Sequence, residues 1–182
     1  MAGGNVKEVL VLPTQEEQLV AEIEKMGICY LSRQTGYRAR RVRVPQRLLA
    51  DLLRQPSSRV RTAVIAVLLA YPEYAQVVPQ MLKHLSLSDQ TTFKLFYTAA
   101  VALQRQHAER LKGFLGRRWQ WLPDLFSREL ALAPDVSPED MLQELGTIHR
   151  AKTGMMVNWT GTYQNVAHHL LRRWELERQW NP

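Results

Sequence analysis

Between Phe93 and Leu103 the only charged residue is Lys94, and no Gly or Pro interrupts the run. Wound at 3.6 residues per turn, this segment is apolar on nearly every side. A helix of that kind has no face to give to water and belongs in the middle of a core, surrounded by other elements. At 182 residues the chain is long enough to supply that surround as one domain of ordinary size. With 46% hydrophobic and 23% charged residues it sits near the globular average, which excludes disordered and collagen-like classes.

The flanking sequence reads as helices. Thr14-Gln15-Glu16-Glu17 is a capping box, followed by Leu19, Ile23 and Met26 at helical spacing and a stop at Gly27. Pro45 suits a first helical position ahead of the Leu48, Leu49, Leu52, Leu53 stripe. A second helix places Val60, Ala63, Val64, Val67 and Leu68 on one side, and a third runs from about Pro72 to His84. Ser88-Asp89-Gln90 starts the central helix, and a short one is expected to end near Ala131. Ser137-Pro138-Glu139-Asp140 is a strong helix start. The last helix, from about Thr162 to Gln179, carries Tyr163, Val166, Leu170 and Trp174 on one face.

Residues 28–44 are the exception. Two short β-prone runs flank a turn at Gln34-Thr35-Gly36, so one small β-hairpin or an irregular basic loop is expected there. The expected organisation is an N-terminal helix with this basic hairpin or loop over 1–44, then a helical unit over 45–182. The fold class is all-α, as a multi-helix bundle or a short α-solenoid.

The solenoid alternative comes from one segment. Gln46 to Leu69 is a Leu-rich helix, a break, then a helix in which Val60, Arg61, Ala63, Ala66 and Leu69 fit the second helix of a HEAT repeat. Shifting by 33 residues sets Leu49 on Leu82, Leu52 on Leu85, Val60 on Phe93 and Ala66 on Ala99. Residues 46–103 thus resemble HEAT repeats, although Ser57-Ser58 stand where the family carries Asp before the second helix. The resemblance implies a segment that offers a surface to a protein or nucleic-acid partner.

Charge is unevenly placed. The chain carries a formal +7, yet residues 1–32 are net negative, while residues 33–61 hold nine Arg against Asp51 alone. Arg33, Arg38, Arg40, Arg41, Arg43 and Arg47 crowd one stretch, with Arg59 and Arg61 following. Guanidinium is a planar fork suited to phosphate or carboxylate. With Tyr30 and Tyr37 nearby, the stretch could track a phosphate backbone while a ring stacks on a base. Arg117, Arg118, Trp119 and Trp121 form a second basic and aromatic cluster. The partners expected are nucleic acid (DNA or RNA) or an acidic protein surface. The competing use of the same residues is to cover apolar surface and form ordinary ion pairs.

Linear signals for chemistry are missing. The five His form no zinc-type spacing, and adjacent His168 and His169 sit ~100° apart on a helix, so they cannot share one metal. Glu16-Glu17 and Glu139-Asp140 are accounted for by helix starts. There is no phosphate-binding Gly loop and no Gly-x-Ser-x-Gly elbow. Catalytic residues, metal ligands and cofactors are therefore not expected. Cys29, the only cysteine, reads as a small buried hydrophobe. No apolar run approaches the ~20 residues of a membrane span and no secretory leader is recognisable, so a cytoplasmic protein is expected.

Overall fold

The computed structural model describes residues 12–31 and 37–180. In the first helix, α1 (Gln15–Lys25), Glu17 N donates to Thr14 Oγ1 at 3.2 Å and Thr14 N donates to Glu17 Oε2 at 2.8 Å, closing the capping box. Gly27 ends it at φ +85°, a left-handed backbone that glycine adopts without Cβ strain. Gly27 N then donates to Glu24 O and Ile28 N to Ile23 O, both at 2.9 Å, which satisfies the last carbonyls.

Of the two alternatives for residues 28–44, the described parts of both arms take the irregular loop and not the hairpin. Residues 28–31 and 37–44 are turn and irregular chain, and the turn at 34–36 lies outside the described residues. The physical reason is competition from α1. Lys25 Nζ donates to the Ala39 and Arg40 carbonyls at 3.5 and 2.7 Å, and Arg43 N donates to Glu22 Oε2 at 2.9 Å. Backbone groups that a strand partner would have used are bound to helix side chains instead.

The remaining helices are α2 (Pro45–Leu53), α3 (Ser58–Arg61), α4 (Ala63–Ala70), α5 (Val78–Leu82), α6 (Leu87–Gln106), α7 (Ala108–Leu115), α8 (Pro138–Thr153) and α9 (Trp159–Trp180). Several boundaries differ from expectation: the second helix of the sequence reading divides at Thr62 into α3 and α4, and α9 begins at Trp159, ahead of Thr162. Residues 72–84 divide into a 3₁₀ turn (Pro72–Val77) and α5, because Pro79 suits a first turn but not a helix interior. α6 starts one residue before Ser88, with Ser86 Oγ accepting from Asp89 N. The short helix toward Ala131 is a single turn: Leu130 N donates to Phe126 O, then Ala131 goes left-handed at φ +55° and Leu132 N returns to Ser127 O.

α6 is the centre. It packs against α4, α8 and α9, and α4 and α8 each also meet α9, so four helices enclose one another as a multi-helix bundle. Phe93 and every residue from Leu95 to Gln104 are buried. All eight residues of α4 are buried, so Ile65, Ala66, Leu69 and Ala70 join the side read from the sequence. The core is one cluster running from Leu19 and Ile23 of α1 to Leu171 of α9. α8 and α9 approach closely at Gly146, where an added Cβ would run into Thr160 Oγ1 and stand 3.1 Å from Thr160 N. Among the described residues no single helix is long and apolar enough to cross a membrane.

Candidate nucleic-acid interface

The Arg-rich segment is laid across the C-terminal end of α1, whose acidic and basic side chains sort its arginines. Arg43 is drawn inward: its Nε lies 3.4 Å from Glu22, its Nη1 3.4 Å from Asp51, and Nη2 donates to Gln18 Oε1. Nη1 is buried and makes no hydrogen bond, so its attraction to Asp51 is Coulombic alone. Arg47 reaches the same Asp51 at 3.5 Å from an exposed position. These two arginines are compensated by acids and hold the segment to α1 and α2.

Arg38, Arg40 and Arg41 are exposed, and among the described residues no carboxylate pairs with them. Lys25, which no motif singled out, anchors their backbone through the carbonyls of Ala39 and Arg40. Tyr37 is half-buried beside them, and Arg33 lies outside the described residues. Arg59 is exposed and donates to the Tyr30 carbonyl at 3.0 Å; Arg61 is half-buried and its charge acts on His149.

The second cluster is tied to the same end of α1. Tyr71 Oη donates to the Met26 carbonyl at 2.7 Å, and the Arg118 guanidinium lies over the Tyr71 ring at 4.9 Å. Trp119 and Trp121 meet edge to face at 5.0 Å, with Lys112 Nζ 5.7 Å from each ring. Trp119 packs on the core, whereas Trp121 is 53% exposed. Arg117 is exposed. The two clusters, remote in sequence, thus flank Lys25, Met26 and Gly27. Tyr71 and Lys112 complete the corner; their places in sequence give no hint of it, because the contacts span elements that only tertiary packing brings together.

The His168 and His169 rings meet edge to face at 5.8 Å without forming a ligand set. Among the described residues no three His, Cys, Asp or Glu side chains form a possible metal set. His168 and His169 are both exposed, and His169 stacks on Tyr30 with centroids 6.0 Å apart. His149, by contrast, is buried in the core: its Nδ1 is 2.6 Å from Tyr163 Oη and its ring stacks on Trp159 at 3.5 Å. Burial first, and then the Arg61 charge, push its pKa down to about 4, so it is a neutral core imidazole. Cys29 is half-buried, and burial with the Glu177 and Glu24 charges pushes its thiol up to about 11, away from reactive thiolate chemistry.

Fold and surface together define an all-α multi-helix bundle with a basic loop and a basic-aromatic corner at one end of its first helix. No family model, curated protein or solved structure matches the chain.

Proposed function

We propose that this protein is a non-enzymatic helical interaction module that binds nucleic acid, alone or within a ribonucleoprotein, through Arg38, Arg40 and Arg41. The observation that carries the reading is their exposure without acid partners, next to Arg43 and Arg47, which are compensated. A guanidinium already paired must give up that partner to take a phosphate; these three need not. Binding proceeds by counterion release and Arg–phosphate hydrogen bonds, with Arg117 extending the track and Trp121 offering a ring for a base to stack on. The HEAT-like reading of residues 46–103 and a cytoplasmic location belong to the same proposal.

The test is fluorescence anisotropy with labelled single- and double-stranded oligonucleotides over a salt series. Three phosphate contacts give a slope of log affinity on log salt of about −2 to −3. Arg40→Glu with Arg41→Glu abolishes binding, whereas Arg150→Glu, on the exposed side of α8, leaves most of it. Absent or salt-independent binding overturns the reading. So does co-purification with an acidic protein and no nucleic acid, which would assign the same guanidinium groups to carboxylates.

A further inference from the structure

Trp121 is exposed on a stretch of backbone that the core holds in place. Gln104 of α6, itself 1% exposed, donates from Nε2 to the Gln120 carbonyl at 2.9 Å and accepts from Leu122 N at 2.8 Å. One buried amide thus grips the chain on both sides of Trp121. Two residues on, Tyr97 Oη of the same helix donates to the Pro123 carbonyl at 2.9 Å. Leu122 is buried and Trp119 packs on the core, which turns Trp121 outward. The indole is buttressed as well. Trp119 meets it at 5.0 Å with the planes 71° apart, and Lys112 Nζ stands 5.7 Å from both centroids. The three centres form a nearly equilateral triangle, so Trp119 and Lys112 support the same side of the Trp121 ring. The exposed part of the ring is the other side. A large aromatic residue usually gives most of its surface to the core, and here three hydrogen bonds from α6 keep it outside.

Positive charge is in excess around this ring. Glu109 is taken by Lys112 at 2.9 Å, and Asp124 faces Arg105 at 3.8 Å. Arg117 is exposed and forms no ion pair among the described residues; Arg118 meets the Tyr71 ring and the Ala70 carbonyl but no carboxylate. An open π-face beside guanidinium groups without acid partners fits an unpaired base on a phosphate chain. A duplex offers no such base, because each face is covered by its neighbours and only the edges reach the grooves. Reading those edges is the work of a helix or a two-stranded ribbon in the major groove. The cations here ride on neither. Arg38, Arg40 and Arg41 lie on irregular chain, and Arg117 and Arg118 on a 3₁₀ turn (Gly116–Arg118).

We propose that the nucleic acid bound by this protein is single-stranded, DNA or RNA, with one unpaired base stacked on the open side of Trp121 and its flanking phosphates on Arg117 and Arg118. This single-strand preference rests on the nucleic-acid reading of Arg38, Arg40 and Arg41 and narrows it: the basic loop supplies attraction, and the fixed indole selects strands with free bases.

The experiment is fluorescence anisotropy of the whole protein at fixed salt against four labelled probes. They are an oligo-dT of about 12 nucleotides, an oligo-U of the same length, an abasic strand of that length, and a closed dumbbell duplex with no free end to stack on. Phosphates alone favour the duplex, whose charge density is higher, so tighter binding of a single strand is the mark of stacking. Either the oligo-dT or the oligo-U is expected to bind more tightly than the dumbbell; which of them does so identifies DNA or RNA, and both outcomes support the proposal. The abasic strand binds about 5- to 150-fold more weakly than the intact one, the worth of one stacked base. Trp121→Ala loses a similar factor on the intact strand, the two losses do not add, and Trp121→Phe keeps part of the affinity. Trp180→Ala, which removes an exposed indole at the end of α9, changes nothing. Thermal melting of each variant is the folding control; should Trp121→Ala melt early, the comparison of intact and abasic strands on the wild type still decides. Equal or tighter binding of the dumbbell, with the salt dependence intact, leaves the nucleic-acid reading standing and overturns the single-strand preference. Equal affinity for intact and abasic strands, or wild-type affinity in a folded Trp121→Ala, overturns it too. Absence of binding to every probe overturns both. A dimer in sedimentation that Trp121→Ala dissociates gives the ring to a second copy of the chain, and likewise overturns the preference.

Discussion

Acidification will weaken this fold through His149 in particular. The side chain is 1% exposed, held by Tyr163 Oη at 2.6 Å, stacked on Trp159 and met edge-on by Phe96. Burial and the Arg61 charge lower its pKa from 6.5 to about 4. In the unfolded chain the imidazole takes a proton as pH falls through about 6.5, whereas in the folded chain it stays neutral until about 4. Between those values the unfolded state binds more protons, so stability rises with pH. The contribution is whole above about 6.5 and is lost progressively on the way down to 4. At about 1.4 kcal/mol per pH unit, its ceiling is about 3 kcal/mol, a large share of the 5–15 kcal/mol typical of a domain. Urea unfolding followed by circular dichroism from pH 4.5 to 7.5 measures it, with the double variant His149→Phe, Tyr163→Phe as reference. The reference removes the titrating ring together with the hydroxyl that would otherwise lose its partner. Carboxylates and His107, whose pKa burial also lowers, titrate in both proteins, so the difference in slope isolates His149. A wild-type slope steeper by close to one proton is expected. Equal slopes would refute the argument that burial holds this imidazole neutral.

Three further outcomes follow from packing and charge. Gly146→Ala puts a Cβ against Thr160 at the α8–α9 crossing and is expected to cost about 1–3 kcal/mol, read as a fall of several degrees in Tm; an unchanged Tm would mean that the helices separate freely. Glu22→Ala removes the 3.4 Å partner of Arg43 and the acceptor of its backbone N–H, and leaves a half-buried guanidinium under-compensated. A loss of about 3 kcal/mol in urea unfolding is expected, with faster amide exchange at Arg43; wild-type stability would contradict the anchoring role given to α1. Cys29, with its thiol pushed up to about 11, is expected to react with iodoacetamide at pH 8 more slowly than free cysteine, and at the ordinary rate in urea. Fast alkylation of the folded chain would show that the thiol is neither buried nor raised.

Local signals were legible where they act within a few residues. The capping box at Thr14 and the cap at Ser137 form because donor and acceptor are three residues apart on one turn. The Tyr163, Val166, Leu170 face of α9 is buried because periodicity alone puts those groups side by side. The Arg segment was legible in composition but not in allocation. Nothing in its spacing tells Arg43 from Arg41, since the difference lies in whether Glu22 and Asp51 come within reach. The same holds for the irregular path of the described residues 37–44, whose alternation was outweighed by Lys25 and Glu22 binding their backbone. The surroundings of Tyr30 were not legible at all, because Arg59 and His169, which meet its carbonyl and its ring, come from stretches far apart in the chain.

Sequence by itself determined that this chain is helical and built around α6: an all-round apolar helix loses too much by facing water, wherever its neighbours come from. It also determined that positive charge would concentrate in one stretch, since charge is a property of composition. Only the tertiary structure decided which of those charges remain free, that the Arg118–Trp121 corner meets the same end of α1, and that His149 is interior. Those outcomes depend on distances between residues far apart along the chain, and such distances exist only once the helices have packed.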